Sequence, residues 1–185
     1  MFPSLETARL VLRPMALEDA DQIQELFPHW EIVRHLAAVV PWPYPPDGAL
    51  TYIRDLALPA MARGDEWIWT LRLKTEPDRV IGAIALNDTP GGDTNRGFWL
   101  GVAWHGRGLM TEAADAVTDY WFDVLKKPAL RVPKAATNTT SRRISEKQGM
   151  RVVAVEERDY VSGRQPAEIW EITAEEWRLQ RARRR

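Results

Sequence analysis

Residues 102–113 read VAWHGRGLMTEA, and the fold turns on how this stretch is understood. An apolar run precedes it (RGFWLGVA, 96–103). A segment with apolar residues at helical spacing follows it: Ala113, Val117, Tyr120, Trp121, Val124 and Leu125. Gly106 and Gly108 therefore stand at a strand-to-helix junction. The first N–H groups of a helix have no partner inside it, and the positive end of the helix dipole lies behind them. Glycine lets the backbone turn tightly and a ligand come close. Such a junction suits a phosphate group, and His105 and Arg107 place charge at its rim.

Several readings compete for the junction. A nucleotide P-loop needs lysine and then serine or threonine after its last glycine; Leu109 and Met110 stand there and exclude it. A dinucleotide fingerprint wants glycine or alanine where Thr111 stands, and it opens a βαβ unit rather than following a meander. A pyrophosphate cradle for coenzyme A and a plain tight turn without ligand both stay open on these residues alone.

Outward from the junction, the period changes along the chain. ARLVLRP (8–14) predicts a strand and ALEDADQIQELF (16–27) a helix, with a second short helix in HWEIVRHLA (29–37). VVPWPYPPDG (39–48) is a proline-punctuated loop. Asp47 is expected to cap the next helix, and Pro59 to kink it. EWIWTLRLK (66–74) alternates strictly, with Trp67, Trp69, Leu71 and Leu73 on one face, which predicts a half-buried strand. VIGAIALND (80–88) and 96–103 complete an antiparallel meander across a turn at 89–95. ALRVPKAAT (129–137) is a strand in which Pro133 marks an edge or a lapse in pairing. NTTSRRISEKQG (138–149) is a helix stopped by Gly149; a hairpin across SGRQP (162–166) and AEEWRLQRA (174–182) close the chain. The fold class is α/β: a single mixed, mostly antiparallel sheet flanked by helices, with 96–137 as its parallel, right-handed portion. One domain over 1–185 is expected.

Composition narrows the function. The chain has 185 residues, a formal net charge of −1, 45% hydrophobic and 28% charged residues and no cysteine. A near-neutral balance argues against a DNA-binding role. The absence of cysteine excludes disulfides and a thiol nucleophile. His29, His35 and His105 lack the spacing of a metal pair, so no metal is expected. No apolar run is long enough to span a membrane, and no secretory signal opens the chain, so a cytoplasmic protein is expected. The basic RLQRARRR (178–185) reads as a frayed, solvated helix end, with RNA or ribosome contact as the minority reading.

FWLGVAWHGRGLMTEAADAV (98–117), followed by NTTSRRISEKQGM (138–150), resembles the GNAT acetyltransferase superfamily, most of all the branch of ribosomal-protein alanine and serine N-acetyltransferases. The likeness runs from ETARLVLRP (6–14) to EIWEITAEEW (168–177). It implies acetyl-CoA as cosubstrate, held by Val102, His105, Gly106, Arg107, Gly108, Leu109, Met110 and Thr111. Ala103 departs from the glutamine or arginine that usually opens the motif. The resemblance further implies that Asn138 binds the pantetheine arm and that Arg143, or its neighbour Arg142, reaches the nucleotide phosphate. Many members place a tyrosine where Ser145 stands, as proton donor to the departing thiolate; here Ser141 takes that role by resemblance. The N–H of Val102, or of its neighbour on the strand, is the expected oxyanion donor, and Asp159 aligns with the base proposed in the branch.

Acetyl transfer requires a neutral amine, donors for the developing oxyanion and a proton for the leaving sulfur. An α-amino group, with a free pKa of about 7.7–8.0, meets the first need more easily than a lysine at about 10.4. Trp30, Trp42, Tyr44 and Tyr160 are expected to line the acceptor's entrance. The resulting expectation is direct, ternary-complex transfer of acetyl to a protein N-terminal amine. A small amine (antibiotic, polyamine or amino acid), or an acyl-CoA-binding sensor without catalysis, are the alternatives. A homodimer is left open.

Overall fold

The computed structural model describes residues 2–89, 92 and 94–184; the turn expected at 89–95 lies partly outside them, as does Arg185. The elements run β1 (Leu5–Glu6), β2 (Leu10–Pro14), α1 (Ala20–Leu26), α2 (Trp30–Val33), α3 (Gly48–Tyr52), α4 (Leu58–Arg63), β3 (Glu66–Leu73), β4 (Gly82–Asn87), β5 (Arg96–Leu100), α5 (Leu109–Asp119), β6 (Ala129–Ala135), α6 (Thr139–Gln148), β7 (Arg151–Tyr160), β8 (Gly163–Thr173) and α7 (Ala174–Arg183). The α/β class and the antiparallel meander stand as expected. Five antiparallel strands run β1-β2-β3-β4-β5, and three run β6-β8-β7.

β3 shows why both faces of the larger sheet are covered. Trp69 and Leu71 enter one core with α5 and the C-terminal strands. Ile68, on the opposite face, enters a second core with residues of α1 and α3. The expected half-buried strand is therefore buried on both sides. The polar residues of its second face find a partner there: Arg72 forms an ion pair with Asp19, and the Thr70 hydroxyl donates to the same carboxylate at 3.4 Å. Alternation alone cannot see this, because the covering helices and their acid come from elsewhere in the chain.

Four local expectations are corrected. Asp47 sits at the start of α3 without a side-chain cap; Gln24 Oε1 accepts from the Ala49 N–H instead, at 2.9 Å. Pro59 does not act alone: the helix runs on from α3 through a π turn at Ile53–Ala57 into α4, and Pro59 follows directly after that turn. The final hairpin turns at 161–162, and residues 163–166 belong to β8 rather than to a loop. The basic tail is docked, not frayed: Arg181 and Arg184 reach Asp119 and Asp115 of α5 at 2.7 and 3.0 Å.

The feature that positions the site lies between β5 and β6. The Asn95 N–H donates to the Arg131 carbonyl, and the Arg131 N–H donates to Asn95 Oδ1, both at 2.8 Å. Beyond that point no ladder joins the two strands, so the parallel pairing expected over 96–137 is reduced to a single hinge. β6 pairs antiparallel with β8, with Pro133 opposite Ile169. The Ala136 N–H reaches the Pro166 carbonyl, so period two turns the backbone of residues 131, 133 and 135 away from β8, towards β5. Next along from Arg131 on that edge is a proline, which has no N–H to offer. The sheet opens where its sequence removes the donor.

Candidate active site

A cleft of about 680 Å³ occupies this opening, walled by β5, the 105–111 turn, β6, α6, the end of β7 and residues 31–40. At its mouth Gly106 and Gly108 both take φ 74°, in the left-handed region. A Cβ on Gly106 meets no atom within 4 Å. The Glu112 N–H, bonded to the Gly108 carbonyl at 3.1 Å, is the first of α5 to turn inward. The N–H groups of residues 108–111 are thus left for a ligand. The arrangement fits a diphosphate: donors, dipole and space coincide.

The turn is braced from behind by residues the motif does not contain. Arg9 Nη1 donates to the Arg107 carbonyl at 2.9 Å, and Arg9 Nε holds Glu112 Oε2 at 2.7 Å. The Arg9 N–H and the Thr7 hydroxyl also donate to Glu112. Burial alone raises the Glu112 carboxyl, but these hydrogen bonds and the guanidinium outweigh it, and the net shift is downward. His105 serves the turn as well: its Nε2 lies 2.7 Å from the Leu100 carbonyl. The Arg107 side chain is exposed and is not part of the cleft wall, whereas Leu109, Met110 and Thr111 are.

Along the open edge, the Gly101 N–H bonds the Ile81 carbonyl at 2.8 Å. Period two therefore turns the Phe98 and Leu100 peptides towards the gap. Val102 opens a 3-10 turn just beyond the strand, and its carbonyl accepts the His105 N–H at 3.1 Å. Phe98 and Leu100 are thus candidate main-chain donors on the cleft wall, whereas Val102 is exposed and lies outside its lining.

On the other wall, Asn138 caps α6 by accepting the Ser141 N–H at 3.1 Å. Ser141 is buried, and its Oγ accepts from Lys134 Nζ at 2.7 Å. Burial, and then the neighbouring Arg96, push the Lys134 ammonium well below its ordinary value. The Phe98 ring lies 5.0 Å from the same nitrogen. Arg96 is itself buried and lowered to about 10 by that burial, against the opposing charge of Asp115; its Nη1 donates to the Thr118 hydroxyl at 2.6 Å. The motifs named neither cation. A signal was present: in β6 the inward positions read Leu130, Val132, Lys134, a lysine where alternation calls for an apolar residue. Ser145, one turn beyond Ser141, is fully buried. Arg143 and Lys147 line the cleft, whereas Arg142 is tied to Glu168 at 2.8 Å.

At the far rim, Asp159 has a 65% exposed side chain and a loose pairing with Arg164 at 3.7 Å. Tyr160 is buried on the wall, its hydroxyl without a partner among the described residues and pushed up by burial. Trp30, Trp42 and Tyr44 do not reach the wall. The two tryptophans pack on each other at 5.7 Å, and Tyr44 packs edge-on against Phe27 at 5.0 Å. Ile32, His35, Leu36 and Val40 stand there instead.

Comparison with known proteins agrees with this geometry. The family described as the acetyltransferase (GNAT) domain matches residues 9–151. The uncharacterized N-acetyltransferase p20 of Bacillus licheniformis is 30% identical over 142 residues, covering 75% of this chain and 76% of that protein. Among solved structures, the ribosomal L7/L12 alpha-N-protein acetyltransferase RimL, in complex with coenzyme A, superimposes with a TM-score of 0.78 at 13% identity, covering 92% of this chain and 98% of RimL. The microcin C7 self-immunity acetyltransferase MccE, in complex with acetyl-CoA and AMP, gives 0.74 at 15% identity over 90% and 93% of the two chains. Donor-rich turn, split sheet and matching sequence together make this chain a member of the GNAT acetyltransferase family, an acetyl-CoA-dependent N-acetyltransferase.

Proposed function

We propose that the protein transfers acetyl from acetyl-CoA directly to the N-terminal α-amino group of a peptide or protein. The observation that carries the reading is that one cleft joins a diphosphate-suited turn, a free strand edge and the buried Ser141 hydroxyl, and runs on to a rim bearing the Asp159 carboxylate. The amides of 108–111 hold the diphosphate, with Arg143 and Lys147 beside it. The free edge of β5 orients the pantetheine arm, and its N–H groups stabilise the developing oxyanion. Ser141 gives its proton to the departing sulfur. Asp159 attracts the incoming ammonium group, which loses its proton to water. An α-amine needs no strongly basic residue for that, since its free pKa is about 7.7–8.0. The likeness to RimL supports this acceptor class, and the likeness to MccE keeps small amines as the second reading.

A thiol-release screen of hexapeptides beginning with serine, alanine or methionine, against spermidine, an aminoglycoside and free amino acids, tests the reading. Peptides are expected to exceed the small amines by about tenfold or more in kcat/KM, the scale of one lost contact of about 1.4 kcal/mol. The reverse order sinks the peptide reading, and acetyl-CoA binding without release from any acceptor marks a sensor. Ser141→Ala is expected to lower kcat by roughly 10²-fold, at the low end for a proton donor, with acetyl-CoA affinity nearly unchanged.

A further inference from the structure

We infer that Lys134 supplies the proton that Ser141 passes to the departing sulfur, so that Lys134 is a positioning residue acting through Ser141. The inference rests on the reading of Ser141 as proton donor. Its ground is the 2.7 Å contact from Lys134 Nζ to Ser141 Oγ, inside the cleft, with the Ser141 backbone pinned by Asn138. A lysine kept to hold the fold together is expected against a carboxylate. Among the described residues no carboxylate lies within ion-pair distance of Lys134, although it is only 5% exposed. Its partners are a hydroxyl and the face of Phe98.

The groups around it favour release of a proton. β5 presents Arg96 and the Phe98 ring. α6 presents Ser141, with Arg143 and Lys147 further along the same wall. Asp115 of α5 bears on Arg96. Glu168, opposite on β8, is occupied by Arg142 and by the Trp170 indole N–H. The surroundings of Lys134 are thus net cationic, in agreement with the lowered affinity of its nitrogen for a proton.

After the amine has added to the thioester carbonyl, the C–S bond breaks and its electron pair goes to sulfur. The Ser141 hydroxyl proton moves to sulfur, and a Lys134 ammonium proton moves to Ser141 Oγ. Lys134 is left neutral. The proton shed to water by the former amine nitrogen is balanced by the one that recharges Lys134 from solvent. The sum is amine plus thioester giving amide plus thiol.

Thiol release with a serine-led hexapeptide, from about pH 6 to pH 10, tests the relay in wild type, Lys134→Met, Lys134→Gln, Ser141→Ala and the Ser141→Ala/Lys134→Met double variant. Wild-type kcat is expected to rise as the acceptor amine loses its proton and to fall again on the alkaline side as Lys134 loses its own. The single lysine variants should lose about tenfold in kcat, less than the roughly 10²-fold or more of a group that hands its proton directly to the reacting atoms, together with the alkaline fall. The double variant should be no slower than Ser141→Ala. A wild-type rate that stays level on the alkaline side overturns the inference, as does an equal loss on removing Lys134 from the Ser141→Ala background. If Ser141→Ala alone keeps the wild-type kcat, the reading of Ser141 falls first, a result distinct from these two. A second measurement needs neither variant nor acceptor: by NMR, the Lys134 ε-carbon should titrate at lower pH than the surface lysines. Titration together with them overturns the inference.

Discussion

Gly106 holds the left-handed φ of 74° beside open space, where a side chain would meet no protein atom but would enter the cradle. Two costs can therefore be separated. Gly106→Ala should lower stability by about 1 kcal/mol, the penalty of an alanine in that region. It should also raise the Kd for acetyl-CoA about tenfold or more, because the diphosphate loses its closest approach. Calorimetric titration and thermal melting read the two effects; an unchanged Kd would leave the junction a plain turn. Lys134 gives the opposite pairing of function and stability. Burial holds its ammonium below the ordinary 10.5, so between the lowered value and 10.5 the unfolded chain binds more protons than the folded one. Wild-type stability then rises with pH through that window. Lys134→Met should abolish that slope and melt no lower than wild type at pH 7, since it removes a buried charge without a carboxylate partner.

At the scale of elements, α5 is aimed by the strand that begins the chain. Glu112 and Arg9 are 103 residues apart, yet their contacts, with Thr7, fix the back of the glycine turn. Glu112→Gln should weaken acetyl-CoA binding about threefold, as expected for a partly exposed pair of about 0.5–1 kcal/mol, and leave kcat nearly intact. The pH dependence follows from the direction of the shift. The folded Glu112 carboxyl titrates below the ordinary 4.5, so its contribution is complete above 4.5 and is lost as pH falls through the lower, folded value. The acid limb of wild-type unfolding should be steeper than that of Glu112→Gln. At α6 the local signals were sufficient by themselves: Asn138 caps the start, and Gly149 ends it at φ 76°. At α3 they were not, because Gln24 of α1 supplied the bond expected of Asp47.

For the molecule as a whole, the hinge at Asn95 and Arg131 joins the five-stranded and three-stranded ladders before they diverge. Asn95→Ala removes the side-chain half of that hinge. It should destabilise the fold by about 1–2 kcal/mol, the net worth of the hydrogen bonds its side chain makes with Arg131 and Asn87, with a fall in melting temperature of about 2–8 °C. Acetyl-CoA, bound between the walls, should restore part of the loss; a variant that melts like wild type with and without acetyl-CoA would show that the hinge does not set the opening. Most of this architecture was legible in the order of periods: the meander, the glycine junction, the capped α6 and the proline in β6 all stand where the sequence puts them. The far wall of the cleft was not. Trp30, Trp42 and Tyr44 were expected at an entrance because aromatic residues sit in a proline-rich loop; they lie outside the cleft lining, the two tryptophans packed on one another yet still exposed, and Tyr44 packed on Phe27.

By itself, the sequence determined what depends on neighbours along the chain: alternation, helix caps, the left-handed glycines and the missing donor at Pro133, all set within a few residues by sterics and backbone hydrogen bonding. Only the tertiary structure decided what depends on burial and on distant partners. It covered both faces of β3, docked the arginines of the tail on α5, braced the turn through Arg9 and Glu112, and enclosed Lys134 with Ser141 and Arg96. The physical reason is that a charge or a hydroxyl acquires its chemistry from the solvent it has lost and the groups it meets, and a linear sequence specifies neither until the chain has closed around them.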